Sequence, residues 1–583
     1  MTLPLFAHNI AMKFHLAISA AFAAGAYAAD VGKHWKIGWI DKVNPDGKFP
    51  RRAIGINGKF PHDPVSINSN DFLHINVSNA FGDGRPTTLH AHGLYYQNVN
   101  YFDGAANVAQ CPIPDGQSFN YEILNSPRAG KTESQWGTYW LHGHYKGQYT
   151  DGLRTPFIIH NADGEVYDYD DDYTVALTDW YHEEHGYLKH HKFLKPDPIY
   201  PTPKEGLMYF AHTKANQTAK NLPGYNENAT LPFEPGKTYR LRLINMSAAS
   251  RFDFWIEGHD MDIIEADGTD VKRFATDVVQ VGIGQRYSVL VKARNSAEND
   301  WRIHADMEKD MYGGGFKHQD GDHLRLNLTS KVSYGKKNAK LGKGRKTIST
   351  FKLFDDLLLE PVHKESAETK PDMAVTLMVG MNSTEDGIPI GTFNGTQFKA
   401  PLTPPILTMK TENDTAIMDP KIYGPNSNAV VAPYNSTVEL KLVSADGAHP
   451  FHLHGTKFQL VERMKNTSLP CTKQCSRENP LRRDTVILPA GGSVTMRFRA
   501  DNPGAWMMHC HMDWHLAAGL AMMVIQAPRE AKKMLDVPSY FPQQCQMQGL
   551  PVHGNAGGVR GSTTDFGRLN YCLLYTSPSP RDR

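Results

Sequence analysis

The segment His509-Cys510-His511-Met512-Asp513-Trp514-His515 places three histidines and one cysteine within a single short stretch. In an extended strand, alternate side chains lie on the same face, so His509 and His511 point one way and Cys510 points the other. One such strand can bind a thiolate-ligated metal on one side and an imidazole-ligated metal on the other. The covalent path between the two sites is a few bonds long, which is what an electron relay needs.

Three more His-x-His pairs precede this segment. Each pair can offer two imidazoles about 7 Å apart on one face of a strand. Four converging pairs could therefore hold a cluster of roughly three metal ions. The paired histidines are His90, His92, His142, His144, His452, His454, His509 and His511.

A separate metal site is predicted around the cysteine. His449 lies just before the third pair and His515 just after the fourth. Together with Cys510 they form a His₂Cys set, which is typical of blue copper. Leu520 lies ten residues after Cys510, where an axial methionine could stand. Because leucine has no ligand atom, we expect it to raise the reduction potential of this copper.

Neither ordinary packing nor zinc accounts for these histidines. A lone His-x-His pair more often consists of core or surface histidines whose hydrogen bonds are satisfied. That explanation does not account for four pairs and a cysteine-centred motif. A zinc site fits poorly, because ten histidines and one cysteine exceed a tetrahedral set. The segment His182-Glu183-Glu184-His185 has a spacing of three, whereas the metalloprotease signature has four. We expect that segment and His190-His191 to be solvated.

The chain is predicted to be all-β. Short alternating or β-branched runs, such as 72–77 and 493–498, recur between Gly, Pro, Asn and Asp, and long helical patterns are absent. Sandwich or barrel domains are therefore favoured. All His-x-His pairs lie in the outer two of three domains, so we expect the second domain to hold the first and third apart. The predicted boundaries are 30–165, 166–345 and 370–545, with a linker at 346–369 and a tail at 546–571.

Composition and termini indicate an extracellular protein. The 583 residues include 62 basic and 61 acidic ones, so the net charge of +1 favours neither nucleic acid nor an anionic membrane as a partner. Residues 1–29 are predicted to be a secretory signal peptide, because Lys13 precedes an apolar run and small residues. Residues 572–583 are interpreted as a translated sequencing adapter, which leaves a lost C-terminal membrane anchor open. Ten glycosylation sequons fit a secreted or cell-surface location: Asn76, Asn216, Asn228, Asn245, Asn327, Asn382, Asn394, Asn413, Asn435 and Asn466.

The cysteine count also sets Cys510 apart. Without the adapter segment, the chain has five cysteines, and an odd number in a secreted protein requires one special thiol. Cys510 is that thiol, and Cys111, Cys471, Cys475 and Cys545 can form two disulfides. Spacing alone does not determine which pairs form.

Four motifs in the chain resemble the copper signatures of the multicopper oxidase family. They are His90-Ala91-His92-Gly93, Trp140-Leu141-His142-Gly143-His144, His449-Pro450-Phe451-His452-Leu453-His454-Gly455 and the segment 509–515. They occur in the family order, and the resemblance covers nearly the whole chain after the signal peptide. It implies three cupredoxin-like Greek-key β-domains, four copper ions, and reduction of O₂ to water with substrate electrons passing through Cys510.

The resemblance also implies a role for each ligand and for two acids. His449, Cys510 and His515 resemble the type 1 ligands, His90 and His452 the type 2 ligands, and His92, His142, His144, His454, His509 and His511 the type 3 ligands. Asp103 resembles the family acid near the type 2 copper, and Asp513 resembles its partner near the type 3 pair. These acids are expected to deliver protons, to orient imidazoles, or both. Cys111 resembles the family cysteine that pairs with one near the end of the third domain, here Cys545.

Within the family, local motifs such as Gly137-Thr138-Tyr139-Trp140 look most like fungal iron-transport multicopper oxidases, with laccases as the neighbouring subgroup. The ferroxidases place a Glu in a Pro-rich segment of the second domain and an Asp just before the third signature. Here Tyr200 occupies the place of that Glu, and Glu205 is nearby but out of register. Asp446 is one residue short of the Asp position. A third acid is displaced, with Glu308 and Asp310 as imperfect substitutes.

Three functions therefore remain open. A ferroxidase would bind Fe²⁺ at Asp446, with or without Glu205, and pass its electron to His449 or His515. A laccase-like oxidase would hold phenols or pigment precursors beside His515. A copper-storage protein would need no link between sites, so the Cys510 relay argues against it. An iron permease is an expected partner of the ferroxidase if the protein is membrane-anchored.

Overall fold

The computed structural model describes residues 28–124, 135–312, 317–318, 324–344, 351, 353–368, 370–465, 478–567 and 569. Most of the predicted signal peptide, the predicted adapter segment, Cys471, Cys475 and the Asn466 sequon lie outside these ranges. Among the described residues, no helix is both long and apolar enough to cross a bilayer.

The first domain is built from eight strands in two four-stranded sheets, ordered β2-β1-β4-β6 and β3-β8-β7-β5. Residues of β4 alternate between buried and partly exposed positions, as expected of a strand with one face on a core. The strands are β1 (Asp30–Val43), β2 (Arg51–Ile56), β3 (Val65–Asn68), β4 (Phe72–Asn79), β5 (Leu89–His92), β6 (Ser118–Leu124), β7 (Gly137–Gly143) and β8 (Arg154–His160).

The second domain contains a seven-stranded sheet, β12-β11-β9-β14-β19-β16-β17, and a six-stranded sheet, β13-β22-β20-β15-β18 with β23 attached to β20. A small pair, β10-β21, lies beside them. The elements are β9 (Asp171–Trp180), α1 (His185–Leu188), β10 (Ile199–Tyr200), β11 (Glu205–His212), β12 (Lys220–Asn221), β13 (Thr230–Pro232), β14 (Thr238–Asn245), β15 (Phe252–Ile256), β16 (Met261–Ala266), β17 (Thr269–Thr276), β18 (Val279–Val281), β19 (Arg286–Lys292), β20 (Asn299–Met307), β21 (Lys317–His318), β22 (Asn327–Ser333) and β23 (Lys340–Leu341).

The third domain contains a seven-stranded sheet, β26-β25-β24-β28-β33-β30-β31, and a five-stranded sheet, β27-β35-β34-β29-β32. Its elements are β24 (Met373–Ser383), β25 (Pro389–Phe393), β26 (Thr396–Gln397), α2 (Pro405–Thr411), β27 (Val430–Ala432), β28 (Thr437–Ser444), β29 (His449–Leu453), β30 (Phe458–Met464), β31 (Arg482–Arg483), β32 (Thr485–Leu488), β33 (Ser493–Arg499), β34 (Gly504–Cys510), α3 (Asp513–Ala517), β35 (Ala521–Gln526), α4 (Pro528–Met534) and α5 (Phe541–Gln546). The predicted all-β class with three cupredoxin-like domains is confirmed. The exact domain boundaries stay a prediction.

Strand pairing brings the histidine motifs together in twos. In the first domain, β5 and β7 are antiparallel neighbours, with His90 opposite His142. In the third domain, β29 and β34 are antiparallel neighbours, with His452 opposite His509. Each outer domain therefore presents two adjacent His-x-His segments from one sheet.

A disulfide joins the first domain to the end of the third. Cys111 is bonded to Cys545 of α5, and the two positions are 434 residues apart in sequence. The pairing implied by the family resemblance is thereby confirmed. Among the described residues, Cys510 is a free and buried thiol, as the odd cysteine count predicts.

We expect the paired replacements Cys111→Ser and Cys545→Ser to lower the free energy of unfolding by about 2–5 kcal/mol, because the cross-link restricts the unfolded chain. Thermal unfolding followed by circular dichroism, with wild type alongside, measures this effect. The single variant Cys111→Ser should lose nearly as much as the pair, since either change breaks the bond. An unchanged melting temperature in the paired variant would contradict the prediction.

The sequon at Asn245 is closed to glycosylation. Its side chain is fully buried, and Nδ2 donates hydrogen bonds to the carbonyl oxygens of Ser250 and Val281. A glycan would replace one of the two hydrogens on this nitrogen, so at least one of these bonds would be lost. Glycosylation at the other sequons stays a prediction.

Candidate metal centres and active site

Cys510, His449 and His515 converge at one end of the five-stranded sheet. Cys510 Sγ lies 3.8 Å from His449 Nδ1 and 3.6 Å from His515 Nδ1, and the two nitrogens are 3.1 Å apart. His449 begins β29, Cys510 ends β34, and His515 lies in α3, so three different elements supply the set. The three side chains are buried, and their donor atoms match a His₂Cys copper site.

Burial affects the protonation of this site in two ways. It lowers the pKa of His515 well below its usual value, so this imidazole is neutral and its lone pair is available. It raises the pKa of the Cys510 thiol. Because a metal binds the thiolate, filling the site requires Cys510 to release a proton.

Leu520 lies beside this set and is fully buried. Its carbonyl oxygen accepts a hydrogen bond from the Cys510 N–H at 3.1 Å, and its own N–H donates to the His515 carbonyl at 2.9 Å. The backbone therefore holds Leu520 against two residues of the set. Its aliphatic side chain offers no donor atom there.

The histidines on either side of Cys510 point to a second cluster, as strand alternation predicts. His509 Nε2 lies 3.3 Å from His454 Nε2, and His511 Nε2 lies 3.2 Å from His92 Nδ1. The first and third domains thus meet at this cluster. Among the described residues, three all-histidine sets have donor atoms within 4.8 Å of one another: His90 with His452 and His454, His90 with His92 and His142, and His144 with His454 and His509. A fourth set joins His92 and His452 to Asp484.

Unpartnered nitrogens show that the cluster fits metal ions. Among the described residues, four of its imidazoles have a buried Nε2 with no hydrogen-bond partner: His90, His142, His144 and His452. A buried polar atom without a partner costs about 1–3 kcal/mol, so their convergence is explained by a metal that accepts their lone pairs. On three of these rings, Nδ1 contacts a carbonyl oxygen at 2.6–3.1 Å, which turns Nε2 towards the cluster.

Burial also keeps these imidazoles neutral. It lowers the pKa of His142, His144 and His511 well below the usual value, and that of His509 to about 3. Neutral imidazole is the form that binds copper. Protons therefore compete little with metal at ordinary pH.

Asp103 connects the two outer domains at the cluster. Its Oδ2 lies 2.8 Å from His454 Nδ1, and its Oδ1 lies 3.3 Å from His90 Nδ1. Burial opposes its ionisation, but the charges and hydrogen bonds of His454 and His90 outweigh burial and lower the pKa of Asp103 well below its usual value. The carboxylate can therefore hold the His454 ring in place, while the main-chain carbonyl of Asp103 lies 2.6 Å from His90 Nδ1.

Asp513 lies in α3 next to the second domain. Its N–H donates to the Ala248 carbonyl at 2.8 Å, and its Oδ2 is 2.6 Å from His185 Nε2. The His185 ring stacks on Trp514 at 4.9 Å between ring centroids. The expectation that His185 is solvated was wrong, because α1 packs against α3 and leaves this side chain only 4% exposed.

Asp446 contacts the outer edge of the thiolate site. Its Oδ1 is 2.7 Å from His449 Nε2, and its Oδ2 accepts the Met381 N–H at 2.6 Å. Partial burial opposes ionisation, but the hydrogen bond and charge of His449 lower the pKa of Asp446 overall. Because its side chain is 32% exposed, this carboxylate reaches both a candidate ligand and solvent.

Glu205 is placed differently from Asp446. It is only 2% exposed and forms an ion pair with Lys48 of the first domain, and it contacts neither His449 nor His515. Tyr200 takes the nearer place, with its ring 6.2 Å from that of His515 and its hydroxyl donating to Met512 Sδ.

Of the two predicted substitutes for the third acid, Glu308 is paired with Arg251 at 2.5 Å. The side chain of Asp310 lies outside the described part of the chain.

Two residues at the cluster were not predicted from the sequence. Asp484 Oδ1 lies 3.1 Å from His92 Nε2, and both of its oxygens are 2.7 Å from the guanidinium of Arg286. Neither residue was assigned a role from the sequence, and the second domain was expected to hold the outer domains apart. Their roles depend on contacts between residues almost 200 or more positions apart, which no local pattern indicates.

Comparisons with known proteins agree with this geometry. Three family models, each described as multicopper oxidase, match residues 40–164, 171–328 and 398–530. The chain is 44% identical to iron multicopper oxidase fer1 of Mycosarcoma maydis, over 93% of this chain and 88% of the relative. It is 36% identical to iron transport multicopper oxidase fio1 of Schizosaccharomyces pombe, over 91% and 82%.

Solved structures are similar over most of their length. The crystal structure of Fet3p, described as a multicopper oxidase that functions in iron import, matches with a TM-score of 0.79 and 30% identity, over 92% of this chain and 98% of that one. The laccase from Botrytis aclada matches with a TM-score of 0.70 and 25% identity, over 90% and 92%.

Proposed function

Because the chain belongs to the multicopper oxidase family, we propose that it is a ferroxidase, which oxidises Fe²⁺ to Fe³⁺ and reduces O₂ to water. The family uses four copper ions, one of type 1, one of type 2 and two of type 3. These ions supply one-electron transfer and O₂ reduction when bound. The relatives named for iron transport support iron as the substrate.

We assign the copper sites from the geometry. His449, Cys510 and His515 would hold the type 1 ion. His90 and His452 would hold the type 2 ion. The type 3 pair would be held by His92, His142, His144, His454, His509 and His511.

The contact between Asp446 and His449 carries the iron assignment. Fe²⁺ prefers carboxylate oxygen, and a partly exposed, ionised Asp446 provides it at hydrogen-bond distance from His449. An electron given up there enters His449 and reaches Cys510, whose strand leads to His509 and His511. Glu205, already paired with Lys48, is left out of this site.

Asp103 and Asp513 would serve the reduction of O₂ at the histidine cluster. Water formation consumes protons, and Asp103 lies beside two proposed ligand histidines, while the charge of Asp513 acts on a third, His509. Asp103 also orients His454 through Oδ2 and His90 through its main-chain carbonyl, which lies 2.6 Å from His90 Nδ1. His185 supports Asp513 from the second domain.

We expect Asp446→Ala to lower kcat/KM for Fe²⁺ by about 10–100-fold, the effect of losing roughly 1.5–3 kcal/mol from a charge-assisted contact. Oxidation of 2,6-dimethoxyphenol should change little, because a neutral phenol needs no carboxylate. Steady-state kinetics on both reductants measure the difference. Glu205→Gln is the matched control, since it neutralises the acid that lies away from the site. Equal Fe²⁺ kinetics in wild type and Asp446→Ala would remove the iron assignment.

A laccase-like phenol oxidase is the second candidate. It is favoured by the aromatic ring of Tyr200 beside His515 and by the structural likeness to a laccase. This function would survive loss of Asp446, so the same kinetics separate the two candidates. Copper storage does not explain why Cys510 lies between two donor sets.

Location and partners follow from the iron proposal. The iron-transport relatives support a place at the cell surface, where Fe³⁺ could pass to an iron permease. The secretory signal, a C-terminal anchor and the permease contact stay predictions.

A further inference from the structure

We propose that Arg286 of the second domain is a positioning residue for the type 2/type 3 histidine cluster. It acts through Asp484, which holds the ring of His92. This inference rests on the proposed copper sites. It assigns a role in building them to a domain that carries no His-x-His pair.

The contacts form a chain across all three domains. Arg286 donates from both terminal nitrogens to the two oxygens of Asp484, each at 2.7 Å. Asp484 Oδ1 lies 3.1 Å from Nε2 of His92, and the hydroxyl of Thr485 lies 3.0 Å from the same nitrogen. The other nitrogen of His92, Nδ1, is the one that faces His511 Nε2 at 3.2 Å.

Arg286 is itself held rigidly. Its Nε donates to the Thr138 carbonyl of the first domain at 2.9 Å, and Nη1 donates to the Gly284 carbonyl at 3.1 Å. Arg286, Asp484 and His92 are at most 1% exposed. A bidentate guanidinium–carboxylate pair sets direction as well as charge, so it leaves Asp484 little freedom to rotate.

The backbone before Arg286 also lies against the cluster. At Gly284, φ is +78°, and a Cβ added there would lie 2.9 Å from His511 Cδ2 and 3.0 Å from His92 Cε1. The second domain therefore touches the two facing rings directly, and only glycine fits this approach.

Asp484 acts as a support and not as a ligand in this arrangement. Its Oδ1 already accepts from Arg286 and, at 2.8 Å, from the Thr485 hydroxyl, while Oδ2 accepts from Arg286. A histidine that binds metal through one nitrogen commonly donates its other N–H to such a carboxylate. Holding Nε2–H of His92 on Asp484 presents Nδ1 to the cluster.

The test is Arg286→Gln, with copper content and spectra as readouts in addition to activity. We expect the affinity of the cluster for copper to fall at least about tenfold, as for other supports of metal ligands. The blue absorption of the Cys510 site should remain, because none of these contacts reaches it. Copper per chain after dialysis against a chelator, and electron paramagnetic resonance of the remaining copper, measure the two sites separately.

The matched control is Arg242→Gln. Arg242 is also fully buried in the second domain and forms a bidentate pair with Asp172, and within the described part of the chain none of its hydrogen bonds goes to a histidine. Thermal unfolding of the copper-free proteins should show similar losses for both variants, whereas only Arg286→Gln should lose cluster copper. If Arg286→Gln does not fold, Arg286→Lys replaces it, because lysine keeps the charge without the bidentate geometry.

A double-mutant comparison tests whether the contacts act in series. Asp484→Ala should lose cluster copper like Arg286→Gln, and combining the two changes should cost no more than Asp484→Ala alone. Retention of all cluster copper by Arg286→Gln, equal loss in Arg242→Gln, or additive losses in the double variant would overturn the inference. Failure of the wild-type chain to take up four coppers would instead overturn the proposed function.

Discussion

Cys510→Ser is expected to abolish the blue colour and to lower O₂ consumption with either Fe²⁺ or a phenol by at least about 10³-fold, equivalent to roughly 4 kcal/mol of barrier. The thiolate is the sulfur donor of the proposed type 1 site, and serine offers a poor copper ligand in its place. Cys510 is also the covalent bridge between His509 and His511. The change keeps the backbone link to the histidine cluster but removes the sulfur at which the path begins, and with it the electron acceptor.

Copper analysis shows whether the loss is confined to the proposed type 1 site. The variant should keep the three cluster ions and lose one, because its histidine cluster lies on the opposite side of the strand. Serine is slightly smaller than cysteine, so it fits the fully buried position. Wild-type-like turnover in a colourless variant would show that electrons reach the cluster by another route, and the relay would have to be abandoned.

Asp103→Ala is expected to lower the rate of O₂ reduction by about 10²-fold, at the upper end of the effect of removing a partner of metal-binding histidines. It removes the side-chain acceptor for His454 in a fully buried space, whereas the main-chain carbonyl of residue 103 still lies 2.6 Å from His90 Nδ1. Anaerobic reduction of the blue site by substrate should be unchanged, because Asp103 does not touch that site. Stopped-flow measurement of the two half-reactions separates them.

Asp103→Asn distinguishes orientation from charge. The amide keeps an oxygen that can accept from one ring, but it carries no negative charge and offers no carboxylate to take up or release a proton. We expect copper binding to recover in this variant while O₂ reduction stays slow. If O₂ reduction also recovers, Asp103 only orients its histidines. Wild-type rates in Asp103→Ala would exclude both roles.

The predicted ligand geometry came from a local rule. Side chains alternate along a strand whatever surrounds it, so the spacing of His509, Cys510 and His511 was enough to predict two sites on opposite sides. The structure places Cys510 beside His449 and His515, and its two neighbours beside His454 and His92. The pairing of Cys111 with Cys545 was not available from any such rule and came only through family resemblance.

Predictions that depended on packing between distant segments were less successful. His185 was expected to be solvated because its motif has no metal-binding spacing, yet α1 buries it on Trp514 of the third domain. Glu205 was considered for iron because of its place in the sequence, but it pairs with Lys48. Neither contact can be predicted from local composition or residue spacing.

By itself, the sequence determined the all-β class, the three-domain order and the set of candidate copper ligands, because strand periodicity and motif spacing are properties of a short stretch of backbone. Only the tertiary structure decided which nitrogen of each histidine faces the cluster, that Asp446 reaches His449, and that Arg286 holds Asp484. Those features depend on hydrogen bonds of about 3 Å. Such bonds form only once separately folded domains pack against one another.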